Sequence, residues 1–324
     1  MRFRKFIFKP VLIFLAGISI LITACEKTQD EPAVIDNTIA GIILNDSTLS
    51  TFEALMVKAN LAITFDGTDP YTVFAPDNAA FAASGITKTV INNYSQSQAQ
   101  TIFLYHALIS KVMAADLPHG PNAPVTTFTN DSVFVTKDGT GSIFVNGNKL
   151  IQADIPADNG VIHKINGVLY PPASNIEETI VLNGLDSLAK AIARATNDST
   201  GDSSLDSILN SSMVTMFAPT DSAFAYLDSL WSTNIDSVGM DTLVNVLKYH
   251  ITPGRIFSSD FVDGPLPMFS GGNTVIGLTN GPTGGPTITG TNNGGSPSNI
   301  IAQISSHETA LFILSTGYCH LNLS

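Results

Sequence analysis

The sequence predicts an α+β fold built twice: two tandem domains, each a β-wedge or sandwich with packed helices at its N-terminal end. Three observations predict it. A strand–Pro–helix block occurs twice, a Tyr-His block follows each copy in nearly the same register, and downstream the apolar pattern changes from helical to alternating. At roughly 100–200 residues per domain, a chain of 324 residues has room for both.

In chain order, Arg2, Arg4, Lys5 and Lys9 precede an apolar run from Val11 to Ile22. At ~1.5 Å per residue that run covers only ~18 Å of a ~30 Å hydrocarbon core, so residues 1–24 read as a signal peptide. Ile22-Thr23-Ala24-Cys25 resembles a bacterial lipobox. The resemblance implies that Cys25 is the lipid attachment point and the contact with the membrane; the alternative is an ordinary signal peptide with an incidental cysteine. Residues 25–34 are polar, acidic and contain Pro32, the composition of a tether. Gln29-Asp30-Glu31 is similar to the acidic export signals of Bacteroidetes lipoproteins, which implies an outer-membrane, surface-exposed location.

The first domain is expected over 35–173. Leu49, Phe52, Leu55, Met56 and Ala59 recur at helical spacing. Tyr71 to Phe74 favour a strand, which Pro76 stops because it cannot donate to a ladder. Asp77 then stands where an N-cap side chain accepts from free amides, and Phe81 follows one turn later on the buried face. On the next helix Ile102, Phe103, Tyr105, His106 and Ile109 are expected to face inward, with His106 bonded to a neighbouring strand. Val133, Val135, Ile143 and Val145 alternate around Asp138-Gly139 and Asn146-Gly147, the pattern of hairpins with positive-φ turns. The domain closes on Asn159-Gly160-Val161-Ile162-His163-Lys164-Ile165, with Val161, His163 and Ile165 on one face.

The second domain, 174–324, repeats the plan. Ile180, Leu185, Leu188, Ile192 and Ala195 give the first helices; Val214 to Phe224 repeats Tyr71 to Phe81; and Tyr249-His250 repeats Tyr105-His106. Thr196 to Ser204 reads as a loop between helices. Ser270 to Ser298 is rich in Gly, Thr, Asn and Pro; it reads as a hairpin with long turns and strands near 273–278 and 286–289, or else as a polar binding loop. The end departs from the plan, because the Asn-Gly-Val-Ile-His motif is missing; if the tail as given is genuine, this domain is expected to lack its closing strand. Shifting the frame by two bases across Glu308 to Ser324 permits the string NGFIHIINRVLPLKFI with freely chosen synonymous codons. A frameshift would make Cys319 and His320 accidents, and resequencing the 3′ end tests that.

Composition narrows the chemistry. The net charge is −12 and only 13% of residues are charged, so nothing could neutralise a run of phosphates, and nucleic acid is excluded as a partner. Two cysteines, Cys25 and Cys319, make neither a disulfide scaffold nor a Cys-rich zinc site. His106, His119, His163, His250, His307 and His320 have no partners at metal-ligand spacing, and Asp198, Asp202, Asp206, Asp221 and Asp228 lack the order of a calcium loop. No Gly-x-Ser-x-Gly anchors a hydrolase triad. No metal, cofactor or catalytic residue is therefore expected.

The blocks TVFAPDNAAF and TMFAPTDSAF, the two Tyr-His pairs and NGVIHKINGVL together resemble the conserved segments of the fasciclin (FAS1) domain. The resemblance implies a wedge of strands with packed helices, in secreted or membrane-anchored adhesion proteins without typical enzymatic activity. It implies Tyr105, His106, Tyr249 and His250 as the candidate adhesion motif and an extracellular protein or polysaccharide as the ligand. The alternative is a carbohydrate-binding accessory lipoprotein, for which Trp231 is the one candidate platform; its other reading is a partly buried core residue.

Overall fold

The computed structural model describes residues 37–171, 176–197, 203–210, 214–225, 236–278, 286–290, 298–305 and 309–314. Cys25 with its lipobox, the tether, Trp231, Cys319 and His320 lie outside the described residues.

The first repeat opens with α1 (Ile39–Asn45), α2 (Ser50–Lys58) and α3 (Ala62–Asp66), followed by β1 (Tyr71–Pro76). Then come α4 (Asn78–Ala83), α5 (Lys88–Asn93) and α6 (Gln96–Tyr105). The remaining strands are β2 (Ala107–Leu108), β3 (Ala123–Thr126), β4 (Ser132–Lys137), β5 (Ile143–Val145), β6 (Asn148–Ala157) and β7 (Gly160–Ile165). Local chemistry sets the boundaries. Asp77 caps α4 by accepting from the Ala80 amide at 2.7 Å, as its position after Pro76 predicts. Ser95 and Gln98 form a reciprocal capping box on α6. The two-residue turn between β5 and β6 is Asn146-Gly147, with φ of 47° and 76°, the doubly positive backbone that a tight hairpin demands.

The second repeat follows with α7 (Ile176–Leu182), α8 (Asp186–Asn197), α9 (Ser203–Leu209), β8 (Val214–Pro219), α10 over 221–225 and α11 (Met240–Tyr249). Its later strands are β9 (Ile251–Pro253), β10 (Gly264–Pro267), β11 (Asn273–Gly277), β12 (Thr287–Gly290), β13 (Ser298–Ser305) and β14 (Thr309–Leu314). The glycine-rich stretch from Ser270 thus holds the antiparallel pair β11–β12, as the hairpin reading expects.

The two sheets share one topology. The first runs β2-β1-β7-β6-β5-β4-β3 and the second, in reverse, β10-β11-β12-β13-β14-β8-β9. In each, one pair is parallel: β1 with β7, and β8 with β14. This corrects the expectation that the second domain lacks its closing strand. Thr309 to Leu314 takes that place, because a ladder needs backbone groups and the apolar run Ala310-Leu311-Phe312-Ile313-Leu314 supplies β-compatible residues without the motif. In register, Thr309 stands opposite Val214 as Gly160 does opposite Tyr71, and Phe312 opposite Phe217 as His163 does opposite Phe74.

Each repeat holds two cores. In the first, Phe52, Phe65, Phe81 and Phe103 pack among the helices, while Phe74, Tyr105, Val133, Val135 and Ile165 fill the β-wedge. The second has a helical core around Leu188, Ile192 and Leu247 and a β core around Phe217, Tyr249, Ile276 and Ile288. The repeats also touch. The Arg255 guanidinium lies 3.7 Å from the centroid of the Phe134 ring, and Asn122 Nδ2 donates to the Asp260 carboxylate and the Arg255 carbonyl.

Candidate functional site

Tyr105 ends α6 and His106 caps it just before β2, so the pair sits where the helical core meets the β-wedge. Tyr105 turns into the wedge and is 2% exposed. Its hydroxyl donates to the Ser132 carbonyl at 2.9 Å and accepts from Asn146 Nδ2 at 3.1 Å. Burial pushes the phenol up to about 12. His106 turns the other way, its ring 5.5 Å from that of Phe52 in the helical core, and is fully buried. Its Nδ1–H donates to the Ile102 carbonyl at 2.8 Å, so its bare Nε2 accepts from the Leu169 amide at 2.8 Å. Both ring nitrogens are used by the neutral form, and burial lowers its pKa to about 4. The expected bond from His106 to a neighbouring strand is replaced by these two, one within its own helix and one to the segment after β7.

The second repeat reproduces the arrangement. The Tyr249 hydroxyl donates to the Asn273 carbonyl at 3.0 Å, and His250 Nδ1 donates to the Val246 carbonyl at 2.7 Å. Burial lowers the His250 pKa too. The backbone carbonyls of His106 and His250 accept from the amides of Phe74 and Phe217, locking each helix end to its central strand.

These four residues, candidates for direct adhesion, are therefore buried at 0–3% exposure and set the join between two cores. Ile109 corrects the helical reading in the other direction. Helix α6 ends at Tyr105 and the chain becomes extended, which leaves Ile109 63% exposed. With Ser110 and Lys111 it forms an exposed loop whose shape Thr72 fixes: its hydroxyl donates to the Ser110 carbonyl at 2.6 Å and accepts from the Val112 amide at 2.8 Å. Thr215 does the same between Gly254 and Ile256. Sequence reasoning missed both threonines, although their equal place in the TVF and TMF blocks was the available signal.

His163 is fully buried on the last strand, as its apolar face predicts. Its Nδ1 accepts from the Asp154 amide and its Nε2–H donates to the Val112 carbonyl, both at 3.0 Å, so it carries the opposite tautomer to His106. Among the described residues no group of three His, Cys, Asp or Glu side chains is placed to hold a metal ion. No described helix is long and apolar enough to cross a membrane.

The fasciclin domain model matches twice, over residues 47–171 and 188–309. The chain belongs to the fasciclin domain family. Among fasciclin-domain relatives, a Synechocystis protein is 31% identical over 169 residues, 49% of this chain and 91% of that one. The transforming growth factor-beta-induced protein ig-h3 of Sus scrofa is 26% identical over 217 residues, 66% of this chain. This chain spans only 30% of the length of ig-h3. A solved FAS1 domain pair from the insect cell adhesion molecule Fasciclin I aligns with 82% of this chain and 94% of its own, at 17% identity and a TM-score of 0.37. The α+β architecture of two fasciclin domains is the one described above.

Proposed function

We propose that this protein is a non-catalytic adhesion protein of a bacterial cell surface, anchored through a lipid on Cys25 and binding an extracellular protein or polysaccharide. The observation that carries this reading is how the fasciclin Tyr-His residues are used. The groups with the most chemical capacity are engaged as neutral, buried hydrogen-bond partners, and what stands outward beside them is the exposed loop Ile109-Ser110-Lys111, held by Thr72. Recognition then falls to surface shape and to exposed polar and apolar side chains.

The test is to apply the chain to arrays of glycans and extracellular proteins. Saturable binding is expected, reduced by Ile109→Asp with Lys111→Glu in a protein that melts as the parent does. Binding to no array member overturns the reading. Anchoring is tested separately: incorporation of a labelled fatty acid in a bacterial host is expected for the parent and absent for Cys25→Ala.

A further inference from the structure

The exposed loop Ile109-Ser110-Lys111 is tied down on its C-terminal side through one titratable group. Thr72 of β1 holds the Ser110 carbonyl and the Val112 amide, and two further side chains reach the same segment. His163 of β7 donates Nε2–H to the Val112 carbonyl at 3.0 Å, and Oδ1 of Asp154 on β6 accepts from the Ala114 amide at 2.8 Å. These two are bonded to each other, because His163 Nδ1 accepts from the Asp154 amide at 3.0 Å. Through the backbone from Val112 to Ala114 the bonds close a cycle, which is complete only while Nδ1 carries no proton.

A proton taken up from solvent at Nδ1 sets two N–H groups against each other across 3.0 Å, so Asp154 must turn its amide away. Its position allows this. It stands in the stretch of β6 where register with β7 shifts between Gln152 and Ile155, with φ of 58°, and its amide is given to the imidazole. Its side chain is 37% exposed, which opens a route for the proton to a ring that is itself buried. Turning also serves the new cation, because the Asp154 carboxylate stands 3.8 Å from Nδ1. A charge-assisted bond forms at about 2.8 Å, so the carboxylate has to close by roughly 1 Å. The oxygen that moves is the one holding the Ala114 amide.

Asp154 is the charged group that faces this ring among the described residues. From β1 the ring meets Phe74, with centroids 5.7 Å apart. Lys164 is paired with Asp46, Lys137 Nζ donates to the Ala115 carbonyl, and Lys111 and Asp116 of the loop are exposed. His106 bonds the backbone of Ile102 and Leu169 instead, and in the second repeat Phe312 takes the place of His163 in the strand register. Burial holds His163 below the ordinary histidine value, so the cycle is intact at neutral pH.

We propose that His163 is an acid switch on this loop: its protonation draws Asp154 to the imidazolium, frees Val112 and Ala114, and unties the surface assigned to ligand contact. The assignment of that surface rests on the adhesion reading; the movement of the loop does not.

The test is a pH titration of the isotope-labelled chain by NMR, following the amides of Val112, Ala114 and Asp154, with far-UV circular dichroism over the same range. The three amides are expected to shift with one midpoint below 6.5 while the dichroism is unchanged, and the Ile256 amide, held by Thr215 in the second repeat, should not follow them. Asp154→Asn keeps an acceptor for Ala114 but removes the anion, so it should lower the midpoint by ~1 pH unit. His163→Phe, the residue of the second repeat, should abolish the transition. A transition that survives His163→Phe, an unmoved midpoint in Asp154→Asn, or loop signals that change only as the chain unfolds would each overturn the proposal. Array binding at the two ends of the titration separates the two readings: a loop that titrates in a chain silent on every array keeps the switch and loses the adhesion reading, and a bound ligand with a loop that does not titrate does the reverse.

Discussion

Asn122 Nδ2 donates to Asp260 Oδ2 across 3.0 Å, and this bond joins the first repeat to the second. Asp260 is itself held, since Oδ2 also accepts from the Phe257 amide and Oδ1 accepts from the Thr136 hydroxyl. With Arg255 stacked on Phe134, the contact combines a charge-assisted bond with a cation–π pair. The two repeats should therefore stabilise each other. A double-mutant cycle of Asn122→Ala and Asp260→Ala is expected to give a coupling of about 0.5–3 kcal/mol in denaturant unfolding. Calorimetry of Arg255→Ala should separate the melting of the two repeats; a single unshifted transition would show that they are not coupled there.

The buried pair predicts which substitutions cost stability. Tyr105→Phe removes the donor to the Ser132 carbonyl and the acceptor for Asn146 Nδ2, for an expected loss of about 1–3 kcal/mol. His106→Ala strands the Leu169 amide and the Ile102 carbonyl and opens a cavity beside Phe52, so the loss should be larger, ~3–5 kcal/mol. Urea unfolding measures both. In a variant that remains folded, ligand binding should persist; lost binding with unchanged stability would mean that the pair touches ligand directly.

Acid should destabilise the protein through its histidines. His106 has a folded pKa of about 4 against an ordinary value of 6.5, and burial lowers His163 and His250 in the same direction. Between those two values the unfolded chain binds more protons than the folded one, so stability falls as pH drops from about 6.5 toward 4 and is level above that window. The His106 shift alone corresponds to roughly 3 kcal/mol once pH is below both values. Denaturant midpoints across the range check the sign, and His106→Asn should flatten the slope.

Much of this fold was legible because its signals are local and repeated. Pro76 followed by Asp77, the stripe Leu49 to Ala59 and the turn Asn146-Gly147 act over a few residues, and each falls where its pattern places it. The inward reading of Ile109 failed because periodicity does not reveal where a helix stops: α6 ends at Tyr105, and the Leu169 amide that bonds His106 at this end comes from 63 residues away in sequence. The closing strand of the second repeat was hidden for a different reason. A motif search reads side chains, whereas β14 is placed by backbone pairing with β8, which Thr309 to Leu314 provides without the motif. Partners such as Leu169, Asn146 and Asp260 are brought to their sites by tertiary packing, and no spacing announces them.

Gly160 gives the most restrictive prediction at a single position. It begins β7 opposite Tyr71 with φ of +155°, a backbone that L side chains rarely adopt. A Cβ built there would lie 2.0 Å from the Tyr71 carbonyl oxygen and 2.8 Å from Ile39 Cδ1, so the strand would have to shift. The preceding residue resists that shift. Asn159 is buried, accepts from the Ile39 amide at 2.8 Å and donates to the carbonyls of Phe65 and Gly67, tying α1, α3 and the start of β7 together. Gly160→Ala should therefore cost about 3 kcal/mol or more, the strained backbone accounting for roughly 1–3 kcal/mol and the clash for the rest. Thermal unfolding should show the first repeat melting earlier, and a midpoint equal to the parent's would mean that β1 and β7 can separate at this end without loss.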